Sequence, residues 1–161
     1  MNKFKIELKW GVYFTIAALA WMYVEKALGW HDELISKHAI YTNIFAIVAI
    51  AVYVLFMKDK KQNFYNGNMT WTQGFISGTI LSVVVAILSP LAQYLTHKFI
   101  TPNYFENVIA YTVEKGVMKQ EAAEAYFSLY SYMAQAAFGA LAMGVVTSAI
   151  VALFFRSKKV D

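Results

Sequence analysis

The chain alternates between long uncharged apolar runs and short polar connections. From Trp10 to Leu28 the only charges are Glu25 and Lys26, at the far end, and from Ala39 to Met57 there are none. Each run holds about 19 residues, enough at about 1.5 Å per helical residue to cross a hydrocarbon core of about 30 Å. A third run, Trp71 to Thr96, is uncharged throughout but contains Pro90, so it must tilt, kink or extend beyond the core. A fourth uncharged run extends from Ala125 to Phe155. Its opening turns, with Tyr126, Ser128, Tyr130, Ser131 and Tyr132, suit an interface and leave residues 131–155 as the span. The pattern predicts an all-α integral membrane protein. It forms a four-transmembrane-helix bundle with spans at 10–28, 39–57, 71–96 and 131–155, in a single membrane domain over residues 1–161.

The segment from Phe99 to Glu124 is too polar to span and too patterned to be disordered. Phe105, Val108, Ile109 and Thr112 follow the i, i+3, i+4, i+7 rhythm of an amphipathic helix. Thr101-Pro102 offers a helix start, Asn103 and Glu106 have capping-box spacing, and Gly116 ends the helix. A second helix is expected to begin within Lys119–Glu124 and to run without interruption into the fourth span. Residues 99–130 thus form an external amphipathic helical link between the third and fourth spans. It serves either as a structural cap over the bundle or as a ligand lid or partner surface.

Composition narrows the class. With 59% hydrophobic and 15% charged residues among 161, the chain is too apolar for a soluble domain, and no part of it reads as a separate one. It has no cysteine, which excludes disulfides, thiolate metal sites and thiol nucleophiles. The net charge of +4 is distributed as a topology signal and not as a nucleic-acid footprint. Nine of the fourteen Lys and Arg residues lie in three clusters, Lys3/Lys5/Lys9, Lys58/Lys60/Lys61 and Arg156/Lys158/Lys159, each beside an apolar run. The rest of the chain carries five bases and seven acids. Because basic connections stay inside, both termini and the Lys58–Thr70 link are predicted to be cytoplasmic. Trp10 and Trp71 then mark the inner interface, and Trp30, Tyr41, Tyr94 and Tyr130 the outer one. The start, Lys3/Lys5/Lys9 followed by Trp10–Ala20 and Ala18-Leu19-Ala20, also has the form of a cleavable secretory signal. The apolar run, however, continues through Trp21, Met22, Tyr23 and Val24, which favours a retained span.

Two stripes of small residues offer close helix packing, which lipid requires because it provides no hydrophobic drive for association. Gly74, Gly78, Ser82 and Ala86 recur every four residues in the third span, as do Ala136, Ala140, Gly144, Ser148 and Ala152 in the fourth. They are expected to face each other; a homodimer seam is the competing reading. Four polar residues, Glu25, Asn43, Gln93 and Gln135, sit about one turn below the outer boundary of four different spans. Exposure to lipid would be costly, so they should turn inward. They form either a buried polar clasp that fixes helix register, with Glu25 and Lys26 free to snorkel, or an outward-facing binding or proton-handling site centred on Glu25.

All three histidines, His31, His38 and His97, fall on the external side. They are weak metal candidates: on a single helix His31 and His38 would stand two turns, about 10 Å, apart. No metal and no cofactor are expected. No catalytic residue is assigned either. Gly74-Phe75-Ile76-Ser77-Gly78 lacks the glycine two places before the serine that a membrane serine-protease loop would have, and Ser77 stands about 30 Å of helix from His97. HExxH, a phosphate-cradling glycine loop and CxxC are absent.

Lys9-Trp10-Gly11 opening the first span, Trp71-Thr72-Gln73-Gly74-Phe75-Ile76-Ser77-Gly78 opening the third, and Ile100-Thr101-Pro102-Asn103-Tyr104 after it give the chain a recognisable layout. It resembles a bacterial family of uncharacterised four-span inner-membrane proteins, known only as a domain of unknown function. The resemblance implies a multi-pass inner-membrane location and transfers no catalytic or binding residue. The leading functional expectation is a non-enzymatic accessory or subunit protein. It would act in the lipid bilayer through its helix stripes and external link, with a membrane-protein partner or a second copy. The alternative is a small-solute or proton-coupled transporter or channel-like protein with an outward-facing polar site around Glu25. A lipid-modifying enzyme using external Glu and His residues ranks third.

Overall fold

Uncharged apolar segments leave the backbone no polar partner but itself, and helices result. The computed structural model describes residues 3–157, and among these there is no strand. Lys158 and Lys159 of the third basic cluster lie outside the described residues. Seven α-helices follow in order: α1 (Lys5–Ala27), α2 (Ile35–Tyr41), α3 (Phe45–Asn63), α4 (Trp71–Leu95), α5 (Tyr104–Glu114), α6 (Gln120–Tyr126) and α7 (Leu129–Phe155). A 3-10 turn, Thr42–Ile44, joins α2 to α3, and a π-helical turn, Thr96–Ile100, extends α4. Three stretches are long and apolar enough to cross a membrane: Ile35–Asn63, Trp71–Ile100 and Leu129–Phe155. Helix α1 has comparable length but is polar at both ends, with Lys5, Glu7 and Lys9 at its start and Glu25 and Lys26 at its finish.

The small-residue stripes meet within the chain. Helices α4 and α7 run antiparallel, so that Gly74 lies against Ala152, Gly78 against Ser148, and Gly144 against Ser82 and Tyr53. A Cβ added at Gly78 or Gly144 would overlap those neighbours. Ser82 and Ser148 are fully buried and hand their hydroxyl protons back to Gly78 O and Gly144 O, so neither hydroxyl is left unpaired in the contact. Helix α1 packs along both α4 and α3; at Gly11 it approaches Val84 too closely for any side chain. Large apolar side chains such as Ile47, Ile87, Phe138 and Phe154 point outward and are at least 70% exposed.

One end of the bundle is fastened by charge. Lys60, in the last turn of α3, forms an ion pair of 2.7 Å with Glu7 of α1, and both side chains are almost fully buried. The same ammonium donates to Lys3 O at 3.1 Å and lies 3.8 Å from the Phe64 ring centre. Asp59 accepts from Lys9, from Trp10 Nε1 and from Asn63 Nδ2. Thr70 then starts α4 with a complete capping box closed by Gln73.

The link between α4 and α7 departs from the sequence reading in two places. Asn103 precedes α5, but its backbone (φ −92°, ψ 2°) is not extended and its side chain makes no cap, so the Asn103–Glu106 box does not form. Helix α6 also does not run on into α7. The chain breaks at Phe127 and Ser128, where extended Ser128 restarts it by accepting the Ser131 N–H. Gly116 does end α5: with φ +68° it places Val117 N–H on Thr112 O and its own N–H on Val113 O, a Schellman closure.

Candidate functional site

The end of the bundle opposite the Glu7–Lys60 pair holds a cluster whose geometry starts at Gly29. Helix α1 presents Trp21 and Glu25 one turn apart on one face, and the Trp21 indole N–H donates to Glu25 Oε1. Gly29 then adopts φ +73°, which lets Trp30 N–H reach Glu25 O and Gly29 N–H reach Lys26 O. This closure turns the chain back on itself and drops His31 beside the carboxylate, with Nε2 3.0 Å from Glu25 Oε2. Helix α2 brings His38 to the same oxygen, with Nε2 3.2 Å away.

Glu25 and His31 are completely buried, and the His38 side chain is 15% exposed. The carboxylate therefore accepts an indole and an imidazole N–H. Lys26, the nearest base in sequence, instead donates to Ile100 O. One ligand-capable atom from each of Glu25, His31 and His38 lies within 4.8 Å of the other two. The separation of about 10 Å expected for His31 and His38 on one helix does not apply, because the Gly29 turn sets them on different segments, with ring centres 5.1 Å apart.

A second layer closes over this group. Tyr104, at the start of α5 and 2% exposed, puts its hydroxyl 3.3 Å from His38 Nδ1 and 3.0 Å from the Tyr132 hydroxyl. Burial pushes the Tyr104 phenol far above its ordinary value, so it acts only as a neutral hydroxyl. Asn107, one turn along α5, donates to His31 O at 3.0 Å. His97 is held by the π turn at the finish of α4, where its Nε2 donates to Gln93 Oε1 at 3.1 Å and its ring stacks on Phe105. Neither His97 Nδ1 nor His38 Nε2 has a hydrogen-bond partner among the described residues.

Beside the cluster lies a cleft of about 580 Å³, into which His38, His97, Tyr104 and Tyr132 face. Asn43, Gln93 and Gln135 also line it. Those three do not bond to one another or to Glu25: Asn43 donates to Ala39 O and Ile40 O, and Gln135 to Ser131 Oγ. The predicted polar layer thus separates into two parts, a sealed Glu25 centre and an open cleft next to it. Ala136 sits at the cleft and not in the tight part of the α4–α7 contact. Trp21, Tyr104 and Tyr132 were not singled out as site residues from the sequence. Gly29 was the available signal, since a glycine just past an apolar helix with Lys26 in its last turn marks a chain reversal.

A family described as proteins of unknown function, DUF4199, matches residues 9–157. The chain belongs to the DUF4199 family. No curated protein and no solved structure matches it. The DUF4199 match contains Trp21, Glu25, His31, His38, His97, Tyr104 and Tyr132, so the whole centre and its covering layer fall inside the family's domain.

Proposed function

We propose that this chain is a four-span protein of the bacterial inner membrane with both termini cytoplasmic, and that it binds or carries a small solute through an outward-facing site built on Glu25. Helix α1 supplies the fourth span, its polar ends resting in the two interfaces. The basic residues of α1 and α3 set the direction. The observation that carries the functional part is a fully buried carboxylate, paired with no Lys or Arg among the described residues, behind His38, which lines the adjoining cleft. A charge so placed is costly unless a ligand or counter-ion compensates it. The reading is preferred to an accessory role because the tightest positions of the small-residue stripes, Gly74, Gly78, Ser82, Gly144, Ser148 and Ala152, are used within the chain.

The absence of cysteine makes the test direct. Asn43→Cys and Gln135→Cys should each be modified by a membrane-impermeant thiol reagent applied to intact cells. Asn66→Cys, in the α3–α4 link, should react only after permeabilisation. Reaction of Asn66→Cys from outside would reverse the topology, and protection of both cleft cysteines from either side would remove the open site.

A further inference from the structure

We propose that Glu25, His31 and His38 bind one divalent transition-metal ion of the Zn²⁺ class, with the cleft supplying the remaining coordination position. The inference rests on the outward-facing reading above and names the ligand chemistry of that site. Two imidazoles and a carboxylate are a donor set for such ions, and the lack of thiolates and of a carboxylate cage disfavours Cu⁺ and Ca²⁺.

The geometry is close to what coordination needs. Ligands about 2.1 Å from a tetrahedral ion stand about 3.4 Å from one another, and Glu25 Oε2 lies 3.0 and 3.2 Å from the two Nε2 atoms. Small outward shifts of the imidazoles would admit the ion where a proton now bridges. His38 Nε2 has a place for one: it lies 3.2 Å from Glu25 Oε2, is buried, and makes no hydrogen bond. The outer contacts fit at Glu25 and His38, while His31 Nδ1 makes no hydrogen bond. Trp21 N–H holds the carboxylate oxygen left free, and His38 Nδ1–H can donate to the Tyr104 hydroxyl, which fixes the tautomer that leaves Nε2 to the metal. The bound dication would also place a fixed positive charge beside the buried carboxylate.

The open position follows from exposure. His31 and Glu25 are sealed, whereas His38 lines the cleft, so a water or a solute donor atom reaches the ion past His38. A metal held in this way by three protein ligands is exchangeable or reactive, unlike a closed four-ligand structural site.

The test uses the full-length chain, freed of any histidine tag, purified in detergent and stripped with a chelator. Titration with Co²⁺ should give one ion per chain with the visible spectrum of a four-coordinate site, and Zn²⁺ should bleach it while excess Mg²⁺ does not. X-ray absorption of the Zn²⁺-loaded wild type should report two imidazoles and oxygen ligands. Glu25→Gln and His31→Gln should abolish the Co²⁺ spectrum, and Tyr104→Phe should weaken binding by about 10- to 100-fold. No stoichiometric binding by the wild type, displacement by Mg²⁺, or full Co²⁺ binding by Glu25→Gln would each overturn the assignment. Because the absorption measurement is made on the wild type, misfolding of a variant cannot mask the result. The cysteine-accessibility pattern would stand in every case, so loss of the metal site and loss of the outward-facing reading are distinguishable.

Discussion

Glu7 and Lys60 show how much a single residue can do that its neighbours in sequence conceal. Lys60 reads as one member of a basic cluster, yet it is buried against Glu7 and the Phe64 ring. Removing one partner strands the other charge, so Glu7→Ala should lower stability by about 3–5 kcal/mol. Paired replacement by Glu7→Leu and Lys60→Met should recover most of that loss, measured by denaturant titration in detergent. Tyr104 gives a pH-dependent prediction. Its pKa in the folded chain is raised by burial, so its contribution is fully present below the unfolded value of about 10 and is lost as pH rises beyond it. The stability difference between wild type and Tyr104→Phe should therefore shrink between pH 9 and 11 in thermal melts. At this scale the sequence revealed Glu25 as a buried polar group requiring a partner. It did not reveal the partners, because the distance between His31 and His38 depends on the Gly29 turn and not on their spacing.

Among the elements, the α4–α7 pair is the one whose assembly depends on the absence of side chains. Gly78→Leu would drive a branched side chain into Ser148, and the antiparallel contact would have to separate. Its expected outcome is a destabilised or misfolded monomer in analytical ultracentrifugation; an intact monomer formed from a wild-type dimer would show that the stripe serves a second copy instead. The stripes were legible because a four-residue repeat of small residues has one geometric use in lipid. Capping was not legible: the expected Asn103–Glu106 box does not form, and the one at Thr70 and Gln73 was not anticipated. Thr70 and Gln73 have the same spacing as Asn103 and Glu106, but only Thr70 has the extended backbone that aims its oxygen at the first free N–H groups. The break before Leu129 was hidden for a similar reason: Phe127 and Ser128 sit in an uncharged stretch with neither glycine nor proline, and only the Ser128 backbone reveals the cap. Ser128→Ala should cost about 0.5–2 kcal/mol, read from the same denaturation curves.

For the molecule as a whole, hydrophobic surface on the outside and polar groups at the two ends define the environment it was selected for. Ile87 is 71% exposed in the middle part of α4, and Ile87→Arg should reduce membrane insertion by an amount equivalent to about 2.5–3.5 kcal/mol, measured as the inserted fraction in a translocation assay. A matched change at Asn66, in the α3–α4 link, should have no such effect. The helical architecture was legible from run lengths alone, α1 included, although α1 begins at Lys5, ahead of the uncharged run that starts at Trp10. The Gly29 reversal has a further consequence, for the order in which the protein is made. Trp21, Glu25, His31 and His38 occupy one short stretch, and closing so short a loop costs little entropy. The carboxylate and its imidazoles can therefore meet as soon as the first hairpin emerges from the ribosome, long before Tyr104 is synthesised to cover them.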